Sequence, residues 1–467
     1  MKLDQKRIYL MMEIKKRELD ARLYFACKAA DKGYSAVVAP KSRIYQYSNF
    51  LKPGINVFKS LGTNNSIIIK KLRSHGHKCV AWDEEAFVTS KDMNANLKMR
   101  FVENNMRKIE YFFAWGKSEK KILTKHFKKF RDKIKITGNS RVDVLKKPIS
   151  KIYNQEVKRL KEKYGNFVLF FTNFARINHI TFDAKNVDEY LRRVSVHDIK
   201  KGDKNYEYLQ GMVKFQSNNF DKLSSFFKKF SKSFPKKKLI IRCHPSEKIE
   251  TYEKLVKSNK NIHIISDDES SIAWIGAADI SIASNCTTSV ESYIYNKLSI
   301  NYLPFRKKKY HFLLPEKLSI NAYSDDQAIK CIKEFYKKKY ENYLSILKKK
   351  EHSVKKSIYN IDKNICSVTE MLKYMSKIEL KKSYNDKNSN RIFFYYLIFK
   401  RFIKRIFESL GLIKYSEHRL YLMGKIPSFN HSEVLNKMKK ILPLMNLKID
   451  DFELKQIYPE VFEIKKK

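Results

Sequence analysis

Three short segments carry residue types able to grip a phosphate and to move a proton. The first is IIRCHPSE, residues 240–247, where Arg242 and His244 flank Cys243. A guanidinium can take a phosphate in two directions at once, and an imidazole N–H can donate to it. Pro245 restricts the residue before it, so the His244 ring is aimed rather than free. A strand-end histidine that only caps a turn is the plainer alternative. The second segment is ASNCTTSVESYI, residues 283–294. Thr287, Thr288 and Ser289 would put hydroxyls and backbone N–H groups at a helix start, where donors and dipole favour phosphate. Glu291, one turn on, could accept ribose hydroxyls. An ordinary capping box, with Thr288 or Ser289 and Glu291, is compatible with that role. The third segment is VAWDEEAF, residues 80–87. Asp83, Glu84 and Glu85 cannot all point one way. One that faced a cleft could serve as general base on an acceptor hydroxyl, as acid or as nucleophile. An acidic loop held by nearby lysines is the alternative.

Other polar groups signal less. His75 and His77 surround Gly76 and read as a helix terminus, not a metal pair. The stretch GNSRVD, with Asn139 and Arg141, follows a strand and reads as a turn at a cleft edge. Asn173 and His179 are further cleft candidates of low specificity.

Ligands of open parallel sheets sit beyond the carboxyl ends of the strands, so these segments need strands behind them. Apolar runs predict strands at 8–14, 35–39, 78–82, 109–115 and 133–137, and again at 166–172, 238–242, 261–265, 279–283 and 298–303. Helical spacing separates them, as at Leu19, Leu23, Cys27 and Ala30. The pattern is α/β, with two Rossmann-like domains facing each other over residues 1–150 and 151–380. Residues 381–467 read as a basic helical extension. It begins with the polar linker 384–391 and the aromatic and cationic stretch Ile392–Leu410, which suits either a membrane interface or docking on the core.

Composition sets the outer bounds. The chain has 467 residues and a formal net charge of +48. A 43% apolar fraction excludes a disordered chain. The six scattered cysteines argue for reduced thiols in a cytoplasmic protein, against a disulfide scaffold or a cysteine zinc site. No apolar run reaches the roughly 20 residues needed to span a bilayer. The charge suits nucleic acid or an anionic membrane surface equally, but no nucleic-acid-binding motif accompanies it.

Taken together, KRELDARLYFACKAADKGY, GHKCVAWDEEAF, FFAWGKSEKKIL, KITGNSRVDVL, IIRCHPSE and AADISIASNCTTSVES resemble the surface carbohydrate biosynthesis proteins, over roughly residues 8–305. The His-Pro turn and the Ser/Thr-rich helix start are also similar to capsule-type Kdo and sialic acid transferases, and to CDP-glycerol glycerophosphotransferases of wall polymers. The resemblance implies a GT-B-like fold with a nucleotide-bound donor held mainly by the second domain. Arg242 and His244 would contact its phosphate, and Thr287, Thr288 and Ser289 would complete the pocket. Asp83, Glu84 and Glu85 would lie on the acceptor side. It implies a glycosyltransferase that moves a sugar from a nucleotide-activated donor, CMP-Kdo-like in kind, to a bacterial surface polysaccharide or lipopolysaccharide. The expected acceptor is a saccharide or lipid-linked saccharide. The picture requires neither metal nor cofactor, and places the chain in the cytoplasm or on the inner face of the membrane. A glycerophosphotransferase, a basic nucleic-acid-binding protein and a non-catalytic sugar-nucleotide binder are the alternatives.

Overall fold

The computed structural model describes residues 6–88, 97, 100–181, 187–193, 199–266, 269–380 and 429–467, with parts of 396–427. The linker expected at 384–391 lies outside the described residues. Six strands of the first half pair in parallel: β1 (Arg7–Met12), β2 (Ser35–Pro40), β3 (Ile55–Phe58), β4 (Lys78–Trp82), β5 (Tyr111–Ala114) and β6 (Ile134–Ile136). Their order across the sheet is β2-β1-β3-β4-β5-β6. Helices cover both faces, which is why SAVVAP of β2 is buried at every position. The helix Lys15–Asp31 links β1 to β2 and buries Leu19, Leu23, Cys27 and Ala30, as its spacing predicts.

The second half forms a separate parallel sheet from β7 (Phe167–Phe171), β8 (Lys238–Arg242), β9 (Ile262–Ile265), β10 (Ile280–Ala283), β11 (Ser299–Tyr302) and β12 (Ile320–Ala322). The order is β12-β11-β10-β7-β8-β9. Counted from its own first strand this is 3-2-1-4-5-6, the doubly wound order whose direction reverses between its first and fourth members. The molecule is thus two Rossmann-like lobes, the GT-B arrangement.

The end of the chain departs from expectation twice. From about residue 358 it no longer belongs to the second lobe. Asn360, fully buried, donates Nδ2 to the Asn139 carbonyl at 2.9 Å and to Asp143 Oδ1 at 2.7 Å. Gly138 accommodates this clamp: its φ is +76°, and a Cβ there would meet Asn360 Oδ1. The expected helical extension is also only partly helical. After the helix His431–Leu444 the chain forms an antiparallel hairpin, β13 (Phe452–Tyr458) and β14 (Val461–Lys466). Strand β14 then pairs antiparallel with β2, Phe462 opposite Val38, and extends the first sheet to eight strands. Without it, β2 would offer an open row of backbone donors and acceptors. Glu463 locks the join by accepting from Ser35 Oγ and pairing with Arg7 Nε at 3.0 Å. Phe462 is fully buried, so Phe462→Ala should lower unfolding free energy by about 3–5 kcal/mol. Denaturant titration reads that loss; an unchanged midpoint would contradict the hairpin's place in the core. Among the described residues no helix is long and apolar enough to cross a membrane.

Candidate functional site

In the second lobe the reversal lies between β7 and β10. Phe171 of β7 sits in register with Arg242 on one side and Ala283 on the other. At about 4.8 Å per strand the two flanking turns start roughly 10 Å apart. Thr172 and Asn173, just past β7, tie them together. Thr172 Oγ1 accepts from the His244 backbone N–H at 2.8 Å. Asn173 Nδ2 donates to the Asn285 carbonyl at 2.9 Å, and Gln216 Nε2 holds the Asn173 carbonyl at 3.0 Å.

His244 Nδ1 accepts from the Ser246 N–H at 3.2 Å, which leaves the proton of the neutral ring on Nε2. Burial, reinforced by the positive charge of Arg17, lowers its pKa to about 4. Arg17 and Glu85, the two strongest charges acting on the ring, both belong to the first lobe. At neutral pH it is an uncharged N–H donor. Behind its turn Glu247 is buried, accepting from the Phe174 N–H at 2.6 Å and from the Tyr252 hydroxyl. Burial lifts its carboxyl to about 7 despite hydrogen bonds from Tyr252 and Thr172.

The other turn depends on Asn285, whose φ of +51° is a left-handed conformation that asparagine tolerates better than most residues. All its polar groups are used. Its N–H donates to Asn301 Oδ1 at 3.0 Å, Nδ2 to the Tyr310 carbonyl at 2.8 Å, and Oδ1 accepts from the Phe312 N–H at 2.6 Å. Thr287, Thr288 and Ser289 follow at the start of the helix Thr288–Ile294, with no side-chain cap. The alternative reading of a capping box is therefore not met, because Glu291 is engaged elsewhere.

In the first lobe the carboxyl ends of β1 and β4 meet in a buried ionic network. Of the three acidic residues, Asp83 and Glu84 are 1% and 0% exposed at the side chain, against 44% for Glu85. Asp83 pairs with Arg100 at 2.8 Å. Glu84 accepts from Trp82 Nε1 at 2.6 Å and from Arg22 Nη2 at 2.9 Å, while Arg22 stacks over the Trp82 ring. Burial alone would raise the Glu84 carboxyl, but Arg22 and Arg141 overcome it and hold it at about 2. Asp83 and Glu84 are thereby buried in ion pairs within the first lobe. Of the three, only Glu85, paired with Arg17 at 3.2 Å, keeps an exposed side chain. Desolvation would raise it too, and Arg17, followed by Lys59, holds it at about 2. The alternative of an acidic loop held by lysines is met only in part: the pairing cations are Arg100, Arg22, Arg141 and Arg17.

Arg141 bridges the lobes. Its Nη2 pairs with Glu291 of the second lobe at 2.5 Å, and Nη1 lies 3.6 Å from Glu84 Oε1. Glu291, expected on a ribose, instead spends its carboxylate on this strap. Arg242, expected on a phosphate, directs Nη2 to the Glu269 carbonyl at 2.5 Å. His75 Nδ1 contacts the Lys71 carbonyl at a helix end, and His77 is buried against Asn56, consistent with a structural role for both. Arg17, Arg22, Thr172 and Asn285 join the site with no expectation attached to them, and Arg141 was expected only at a turn on the cleft edge. KRELDAR and GNSRVD contain three of them, but nothing local says which carboxylate each would meet.

The buried groups make the acid side of stability testable. Glu247 binds a proton below about pH 7 in the folded chain and only below about 4.5 when unfolded. It therefore favours the fold in acid and loses that contribution as pH rises through 7. His244, held near 4, acts oppositely: its contribution is lost as pH falls from 6.5 towards 4. Glu247→Gln removes the compensating group. Its stability should fall more steeply on acidification from pH 6.5 to 4.5 than that of the parent, by up to about 1.4 kcal/mol per pH unit. Urea midpoints across that range would show parallel slopes if Glu247 titrated normally.

No family model and no curated protein matches the chain. Among solved structures, the wall teichoic acid polymerase TagF is similar at 10% identity and TM-score 0.48, over 80% of this chain and 89% of that one. UDP-GlcNAc 2-epimerase from Neisseria meningitidis gives 11% and 0.48, over 80% and 100%. The epimerase from Methanocaldococcus jannaschii gives 16% and 0.43, over 70% and 92%. At these values the likeness carries no argument, and the fold rests on the strand orders above.

Proposed function

We propose that the chain is a glycosyltransferase that moves a sugar from a nucleotide-activated donor to a growing surface polysaccharide or lipopolysaccharide. One observation carries the reading. The His244 turn and the Asn285–Ser289 turn flank Thr172 and Asn173 at the strand-order reversal, and the charges of Arg17 and Glu85 from the first lobe act on the His244 ring. The donor's phosphates lie between the two turns. His244 Nε2–H, Arg242 and the N–H and hydroxyl groups of Thr287, Thr288 and Ser289 neutralise charge as it develops on the departing nucleotide. Glu85 takes the proton of the acceptor hydroxyl once the acceptor displaces Arg17 from it. Lobe closure over the reactants excludes water and suppresses donor hydrolysis. The acceptor is a saccharide or lipid-linked saccharide, and the enzyme works at the inner face of the cytoplasmic membrane.

Thermal shift across a panel of nucleotides and nucleotide sugars tests the reading. A ligand at 100 times its Kd adds about 2.7 kcal/mol, which for a chain of this length raises the melting temperature by roughly 3 °C. A CMP-linked acidic sugar is the expected responder. A shift confined to CDP-glycerol would point to glycerophosphate transfer, and no shift with any member would remove the proposal. Glu85→Gln should lower kcat about 10²- to 10⁴-fold with little change in donor KM. Asp83→Asn should act mainly on stability; equal effects of the two on kcat would defeat the assignment of the base.

A further inference from the structure

We infer that the segment around residues 396–412 is a surface anchor for a bilayer rich in acidic lipids. Its described residues between Tyr396 and Ser409 are helical. At 100° per residue, Phe399, Phe402, Ile403, Ile406, Phe407 and Leu410 share an arc of about 140°. Lys400 borders that arc and Lys404 and Glu408 lie beyond it, 3.7 Å apart. Docking on the protein core would bury that arc, and it is not buried: Phe399 is 62% exposed, Phe402 59% and Leu410 63%. An aromatic arc backed by cations is the composition that sinks shallowly among lipid headgroups.

Charge selects the occupant. The chain carries 97 Lys and Arg against 49 Asp and Glu, so a second copy of +48 is repelled and an anionic surface is attracted. Nucleic acid would answer the charge and leave the apolar arc in water. The place in the chain is apt as well. The helices Ser367–Met375 and His431–Leu444, before and after the segment, both pack on the helix Lys15–Asp31 of the first lobe. Tyr24 contacts Cys366 on one side, and Lys15 pairs with Glu433 on the other. The anchor therefore hangs from the lobe that carries Glu85. That a lipid-linked acceptor benefits from this rests on the proposed function; the anchoring itself does not.

Sedimentation of the full chain with vesicles tests it. The parent should pellet with an equimolar mixture of phosphatidylglycerol and phosphatidylcholine, stay in solution with phosphatidylcholine alone, and release as salt is raised. The exposed triple variant Phe399→Ser, Phe402→Ser, Phe407→Ser should partition about tenfold less, with an unchanged melting temperature. Lys400→Glu with Lys404→Glu should lose the preference for acidic vesicles. A parent that ignores acidic vesicles, or a triple variant that pellets as well as the parent, would overturn the inference. So would a parent dimer that the triple variant turns into a monomer while vesicles have no effect. The nucleotide thermal shift reads the catalytic proposal separately, so either can fail alone.

Discussion

His244→Ala lowers turnover roughly 10²- to 10³-fold, the cost of removing one preorganised donor from a charge-stabilising site. The melting temperature should barely move, because Nδ1 serves a single backbone N–H. With a pKa of about 4, the ring keeps its Nε2 proton as a neutral donor throughout the neutral range. Turnover should therefore show no inflection near pH 6.5 attributable to this residue. His244→Gln, which restores an N–H donor without an imidazole, should recover part of the loss. Initial rates with the donor identified by thermal shift, for all three proteins, decide the matter. An alanine variant within a few-fold of the parent would leave His244 as a turn residue only.

Arg141→Met should cost about 3–5 kcal/mol, because two carboxylates, Glu84 and Glu291, lose the cation they share while remaining buried. For a chain of this length that is a fall of roughly 3–5 °C in melting temperature. Adding Glu291→Gln to the same chain removes one of the two orphaned charges and should return part of the stability. Non-additivity is expected because the residues touch. Thermal unfolding of the two single variants and the double variant completes the cycle. A fully additive result would mean that Arg141 and Glu291 do not couple the lobes.

Much of the scaffold was legible because a strand buried on both faces is a continuous apolar run. IYLMM, SAVVA, KCVAW, VLFF and KLIIR all lie where their composition places them. Two short strands, β3 (INVF) and β12 (INA), were missed. The terminal hairpin was a different failure. FELK alternates in a strand's period of two and Gln456 breaks the pattern, where the register shifts; a hairpin is also stable only where an open edge awaits it, and that edge is β2, some 420 residues earlier. The site divides the same way. The three segments lie at strand ends as expected, yet Asp83, Glu84 and Glu85 are adjacent in sequence and have different fates.

Read alone, the sequence determined the two parallel sheets and the turns that end their strands, since both follow from local apolar runs broken by Pro, Gly and Asn. The tertiary structure alone decided which ionised groups are spent on the fold and which stay available for chemistry. Arg22 meets Glu84 across 62 residues and Arg141 meets Glu291 across 150. A buried charge must find an opposite one wherever folding brings it close, and no local pattern records that distance.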